Sequence, residues 1–167
     1  MIKNEIVVTG GLGFIGRNFV KKLDEKLSNY KIIVYDKSKK NYNKINLKSK
    51  KNKILVIIAN TLDIEKRLSK FKNINTIFHF GEFSRIVKSF DHTNECFTSN
   101  TLGTFKVLKF CKTNNIKVVY SASSSKFGNN GKDEHLSPYS WTKSKNIELI
   151  KNFHNWYGLR YEIVFFL

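Results

Sequence analysis

The sequence predicts a doubly wound α/β fold, a parallel sheet of about six strands with helices on both faces. Three observations carry the prediction. Short, continuous apolar runs rich in β-branched residues recur along the chain, the pattern of strands buried on both faces. Stretches of helical spacing separate them, and strand–helix alternation marks a doubly wound sheet. Glycines crowd the junction between the first strand and the first helix, where the backbone must turn tightly.

The elements follow in order. Residues 5–9 (EIVVT) read as the first strand, ending at glycines. Residues 14–27 read as a helix with Phe14, Ile15, Phe19, Val20 and Leu23 on one side. Residues 31–36 (KIIVYD) and 54–59 (ILVIIA) give the second and third strands, and 63–71 a short helix. Residues 76–80 (TIFHF) are the fourth strand. Residues 94–114 have helical spacing through Phe97, Leu102, Phe105, Leu108 and Phe110. Residues 117–121 (KVVYS) are the fifth strand, 139–157 a helix, and 161–166 (YEIVFF) the sixth strand. The segment 37–53 breaks the pattern, with eight Lys and no acid. It reads as a solvated loop with room for a short helix; phosphate binding is the lesser alternative.

Composition narrows the class. A length of 167 residues suits one domain. The net charge is +17, yet 41% of residues are hydrophobic, so the basic excess does not imply disorder. One Pro and 9 Gly exclude collagen-like and Pro-rich classes. Cys96 and Cys111 are the only cysteines, so no disulfide framework or cysteine zinc finger is available, and no metal site is predicted. No apolar run approaches the ~20 residues of a membrane span. A soluble, cytoplasmic protein is expected. The charge raises nucleic-acid binding as a hypothesis, but most of the cations are Lys rather than Arg, and charge alone specifies no site. A Lys-rich solvated surface is the reading preferred here.

Gly10, Gly13 and Gly16 form a G-x-x-G-x-x-G pattern in TGGLGFIG. Strand before and helix after make it a dinucleotide signature. Small residues let the backbone approach a pyrophosphate, and the helix N-terminus offers N–H donors and a favourable dipole. Asp36 closes the second strand, twenty residues past Gly16. Its carboxylate suits the adenosine ribose hydroxyls and repels a 2′-phosphate, which favours NAD over NADP. Lys37, Lys39 and Lys40 beside it pull the other way. Asp63, after the third strand, fits either an acid that meets the adenine or a helix N-cap.

Tyr139 and Lys143 are four apart at the start of a predicted helix, so they share a face. A phenol titrates near ~10 in water, and a nearby ammonium favours its phenolate. Ser121 to Ser125 follow the fifth strand, at the end where parallel sheets bind ligands. There the hydroxyl of Ser123 can hydrogen-bond a substrate oxygen as it becomes a carbonyl.

This order of motifs resembles the extended short-chain dehydrogenases/reductases, specifically the NAD-dependent epimerase/dehydratase family of nucleotide-sugar enzymes. The resemblance covers almost the whole chain. TGGLGFIG is similar to the family's cofactor loop and implies contacts from Phe14 and Ile15 as well. IFHFGEFS, residues 77–84, resembles the segment bordering the nicotinamide, which adds Phe80 and Gly81, with Ser84 toward substrate. Asn100-Thr101-Leu102-Gly103-Thr104 resembles the family's N-x-x-G-T. SASSSKFG resembles its serine segment, and SPYSWTKSK carries the Tyr-Lys pair. The resemblance implies a Rossmann-type NAD(P)-binding domain over residues 1–167. It further implies cofactor contacts from Asp63, Ile64, Asn100 and Ser121, and substrate contacts from Ser123 and Ser124.

The departures inform the reaction. Phe127 stands before Gly128 where relatives often have Tyr. Ser124 and Ser125 occupy positions where sugar 4,6-dehydratases carry Asp-Glu, which argues against that elimination. Arg85 suits a substrate phosphate or an ordinary surface. The family's smaller substrate-gripping domain lies beyond the sixth strand and is absent from these 167 residues. The expectation is a nucleotide-sugar 4-epimerase resembling the UDP-glucose 4-epimerase group. It would act on a UDP-sugar with NAD through Ser123, Tyr139 and Lys143. A reductase or dehydrogenase on the same scaffold, and a non-catalytic NAD-binding module, are the alternatives. The resemblance also implies a homodimer packed through the helices 94–114 and 139–157.

Overall fold

A computed structural model describes residues 4–45, 48–124 and 135–166. It holds one six-stranded sheet with every pairing parallel, in the order β3-β2-β1-β4-β5-β6. The strands are β1 (Asn4–Thr9), β2 (Tyr30–Asp36), β3 (Lys53–Ile58), β4 (Ile74–His79), β5 (Lys117–Ser123) and β6 (Tyr161–Phe166). Register follows the apolar alternation. Val7 lies opposite Ile33 and Ile77, and Val8 opposite Val34 and Phe78. A one-residue slip would turn each of these side chains to the other face.

Two apolar cores result. Ile6, Val8, Ile32 and Val34 pack with Leu12 and Val20, on the face covered by α1 (Phe14–Lys26). Val7, Ile33, Ile77, Val118 and Tyr120 pack with side chains of α2 (Ile64–Leu68), α5 (Gly103–Thr113) and α6 (Pro138–Tyr157). Each fully buried aliphatic side chain contributes roughly 1.5–3 kcal/mol, so the sheet is specified from both sides.

The structure departs from the sequence reading in four places. The helix expected over 63–71 is a 3₁₀ turn (Thr61–Asp63) followed by the short α2. A single-turn α3 (Lys88–Asp91) was not expected. The helix over 94–114 is α4 (Thr93–Phe97) running through a π turn (Thr98–Leu102) into α5. The fifth strand extends two residues further, so Ser123 ends β5 rather than following it. Pairing with β6 draws it out, with Ser121 opposite Val164 and Ser123 opposite Phe166. The Lys-rich segment contains a 3₁₀ turn, Tyr42–Lys44. Among the described residues no helix is long and apolar enough to cross a membrane.

Candidate active site

The order of strands reverses between β1 and β4, and a cleft opens there at the carboxyl ends of the strands, where open α/β sheets bind ligands. Gly10, Gly13, Phe14, Ile15 and Gly16 line its centre with Phe80 and Gly81. Asp36 lines the side toward β2, while Ser121, Tyr139 and Lys143 line the side toward β5. Ser84 also lines it.

The loop after β1 is built for close approach. Gly10 has φ +64°, and a Cβ there would sit 2.7 Å from the backbone of Phe80. A Cβ on Gly16 would drive into the carbonyl oxygen of Gly10, so the start of α1 rests directly on the loop. Gly13 caps α1 without a side-chain bond, and no acid stands in the first turn. The first N–H groups of a helix have no intrahelical acceptor. Here they face the cleft at the positive end of the helix dipole, an arrangement that fits a pyrophosphate.

Asp36 braces this loop. One carboxylate oxygen accepts the N–H of Leu12 at 3.0 Å and the other that of Ser38 at 3.0 Å. Lys37 also lines the cleft, but its ammonium is paired with Glu95 at 2.7 Å. Tyr35 adjoins Asp36 and donates its hydroxyl to the carbonyl of Asn60 at 2.7 Å. Burial, then the charge of Asp63, pushes that phenol up to about 12. Asp63 itself is exposed and forms no cap bond at the start of α2. Ile64 is buried in the core, with its N–H given to the carbonyl of Thr61. Neither lines the cleft as described, although Asn60 and Thr61 do.

The opposite end is set by how α6 starts. Ser137 is the N-cap, accepting the N–H of Ser140 at 3.0 Å, and Pro138 takes the first helical position. Tyr139 therefore falls in the first turn and Lys143 one turn later on the same face. The N–H of Tyr139 is held by the hydroxyl of Ser89 at 3.3 Å. The Lys143 side chain is 5% exposed and donates to the Glu82 carboxylate and to the carbonyl of Ser121. Its ammonium also lies 4.5 Å from the centre of the Tyr120 ring.

Glu82 is the main residue the sequence reading missed. Its side chain is 3% exposed. One carboxylate oxygen accepts from Tyr120 at 3.0 Å, from Asn146 at 2.9 Å and from Thr104 at 3.1 Å; the other accepts from Lys143. Burial, then the charge of Glu82, holds the Tyr120 phenol well above its usual range, so it stays a donor. The available signal was a lone acid inside the apolar run IFHFGEFS.

Asn100 is buried inside the π turn rather than on the cleft. Its side chain accepts the N–H of Phe83 at 2.6 Å and donates to Thr142 at 3.0 Å. Phe83 and Ser99 line the cleft in its stead. Ser123 and Ser124 are half-buried and are not among the cleft-lining residues. Ser123 shares a strand face with Ser121, which lines the cleft. Ser125, Phe127 and Gly128 lie outside the described residues.

The chain has relatives of known family and fold. Residues 6–166 match the model of the NAD dependent epimerase/dehydratase family. The putative UDP-glucose 4-epimerase of Methanocaldococcus jannaschii is 30% identical, over 95% of this chain and 54% of that protein. A dTDP-D-glucose 4,6-dehydratase of Dictyostelium discoideum is 30% identical, over 74% of this chain and 30% of its own. Among solved structures, UDP-N-acetylglucosamine 4-epimerase from Methanobrevibacter ruminantium M1 superposes with a TM-score of 0.83 at 29% identity. It covers 98% of this chain and 54% of that one. The chain thus spans about half the length of the archaeal relatives it matches. It belongs to the NAD dependent epimerase/dehydratase family.

Proposed function

Taking that membership as premise, we propose that the protein is an NAD-dependent nucleotide-sugar 4-epimerase acting on a UDP-sugar in the cytoplasm. The observation that carries the reading is the cleft itself. A glycine loop and helix N-terminus suited to a pyrophosphate share it with Tyr139 and Lys143, one helical turn apart. The residues fit a dinucleotide. The first turn of α1 would hold the pyrophosphate, Asp36 the adenosine ribose, and Lys143 the nicotinamide ribose.

NAD, when bound, supplies the reversible hydride acceptor. Tyr139 acts as the base that takes the proton of the sugar 4-hydroxyl and later returns it. Lys143, one helical turn further along the same face of α6, holds the ribose that places the nicotinamide beside Tyr139. Ser123, on the strand face it shares with Ser121, donates its hydroxyl to the developing 4-keto oxygen. Ser84 and Ser124 contribute to the sugar side. Ser124 offers a hydroxyl where dehydratase chemistry calls for an acid, which supports epimerisation over elimination of water.

The test is to supply UDP-glucose or UDP-N-acetylglucosamine with NAD and follow C4 inversion by proton NMR. Epimer forms without net NADH accumulation. Tyr139→Phe lowers turnover by at least about a hundredfold while NAD still binds. Undiminished turnover in that variant would remove Tyr139 from the mechanism. Net consumption of NAD or NADH would instead mark a dehydrogenase or reductase.

A further inference from the structure

We infer that Glu82 is a positioning residue for Lys143, and that its carboxylate removes the bias toward reduced dinucleotide that an unpaired Lys143 ammonium would impose. The inference rests on the NAD-binding reading above and concerns a residue to which that reading gives no role.

The geometry is specific. An ammonium has three N–H donors. Lys143 directs one to Glu82 and one to the Ser121 carbonyl, with the Tyr120 ring 4.5 Å away. Among the described residues the third is left for the cleft that Lys143 lines. Glu82 is fixed in turn, because Tyr120, Asn146 and Thr104 all donate to its other oxygen. These are strand and helix residues, so the carboxylate sits on rigid supports. Lys143 therefore does not hang free. Its charge is anchored from below before any ligand arrives.

The second consequence is electrostatic. Lys143 alone would place a positive charge beside the nicotinamide end of the cleft. An oxidised nicotinamide ring is cationic and a reduced one is neutral, so an unpaired ammonium would disfavour the oxidised form. Glu82 also lines the cleft, and its charge cancels that of Lys143 at close range. Both side chains are nearly excluded from solvent, where such charges are weakly screened.

The experiment measures dissociation constants for NAD and for NADH separately by calorimetry. It uses wild type, Glu82→Gln and Glu82→Asp. Glu82→Gln should shift the NAD-to-NADH affinity ratio toward NADH by roughly tenfold. Glu82→Asp keeps the charge and should stay within about threefold of wild type. An unchanged ratio in Glu82→Gln overturns the electrostatic inference. Should Glu82→Gln fail to fold, Glu82→Asp and wild type still decide the positioning role. A slowly exchanging Lys143 ammonium signal is expected by ¹⁵N NMR in unliganded wild type, broadened in Glu82→Asp. A signal missing from wild type overturns the anchoring. If wild type binds neither dinucleotide, the NAD-binding reading fails, and the NMR arm still tests the ion pair.

Discussion

His79 shows what a single buried side chain does beneath the site. Its two ring nitrogens lie 2.7 Å from the Thr9 hydroxyl and 3.0 Å from that of Thr104. Thr9 accepts the N–H of Gly81, and Thr104 donates to Glu82. The directions are consistent when Thr9 donates to Nδ1 and Nε2–H donates to Thr104, which assigns a neutral imidazole by its partners. Burial lowers its pKa from the ordinary 6.5 to about 4. The unfolded chain then binds more protons than the folded one between those values, so stability falls as pH drops through that window. The loss approaches roughly 3 kcal/mol. Urea melts at pH 7 and pH 4.5 should show it. His79→Gln should be weaker at pH 7 yet lose less on acidification; an equal loss in both would shift the effect to other groups.

At the scale of the element, the π turn inside the α4–α5 helix does the equivalent work. π segments are frequent at functional sites. Here the wider turn carries Asn100, which ties the Phe83 backbone to α6 through Thr142, while the Asn100 carbonyl accepts from Asn146 at 2.9 Å. Asn100→Ala leaves the half-buried Phe83 N–H without its acceptor, at about 1–3 kcal/mol. Denaturant midpoints measure that loss, and NAD affinity should fall with it because Phe83 and Ser84 border the cleft. The helix was legible in the sequence from Phe97, Leu102, Phe105, Leu108 and Phe110. The π turn was not, since residues 98–101 (TSNT) carry no apolar mark whose phase could shift. The same reason hid the last two residues of β5, where Ser-Ala-Ser pairs with β6 through backbone alone. The Tyr-Lys pair and the glycine loop were legible because each is contiguous or one helical turn long. The pairing of Glu82 with Lys143 joins residues 61 apart in sequence, and only the packing of α6 on β5 brings them together.

For the whole molecule, the outward side of α4, α5 and α6 is unusually aromatic. Phe97 stacks on Trp141 with centroids 5.4 Å apart, and both are more than a third exposed. Leu102, Phe105 and Trp156 extend the same apolar character, Trp156 at 60% exposure. Contiguous apolar patches of this kind mark interaction sites on soluble proteins. A homodimer packed through these helices is the assembly proposed here. Light scattering should give twice the mass of the chain, and Phe105→Glu with Trp141→Glu should give a monomer that still binds NAD. A monomeric wild type at micromolar concentration would exclude that assembly.

The brace formed by Asp36 bears on how cofactor choice can change. Both oxygens already hold backbone N–H groups of Leu12 and Ser38, and the Leu12 carbonyl is held by Asn41 at 3.1 Å. Replacing Asp36 to admit a 2′-phosphate would therefore unfasten the glycine loop at the moment it removed the repulsion. A lineage or a designer seeking the phosphorylated dinucleotide needs a second substitution that supplies a new acceptor to Leu12. The preference for NAD is thus entrenched by architecture as well as by charge.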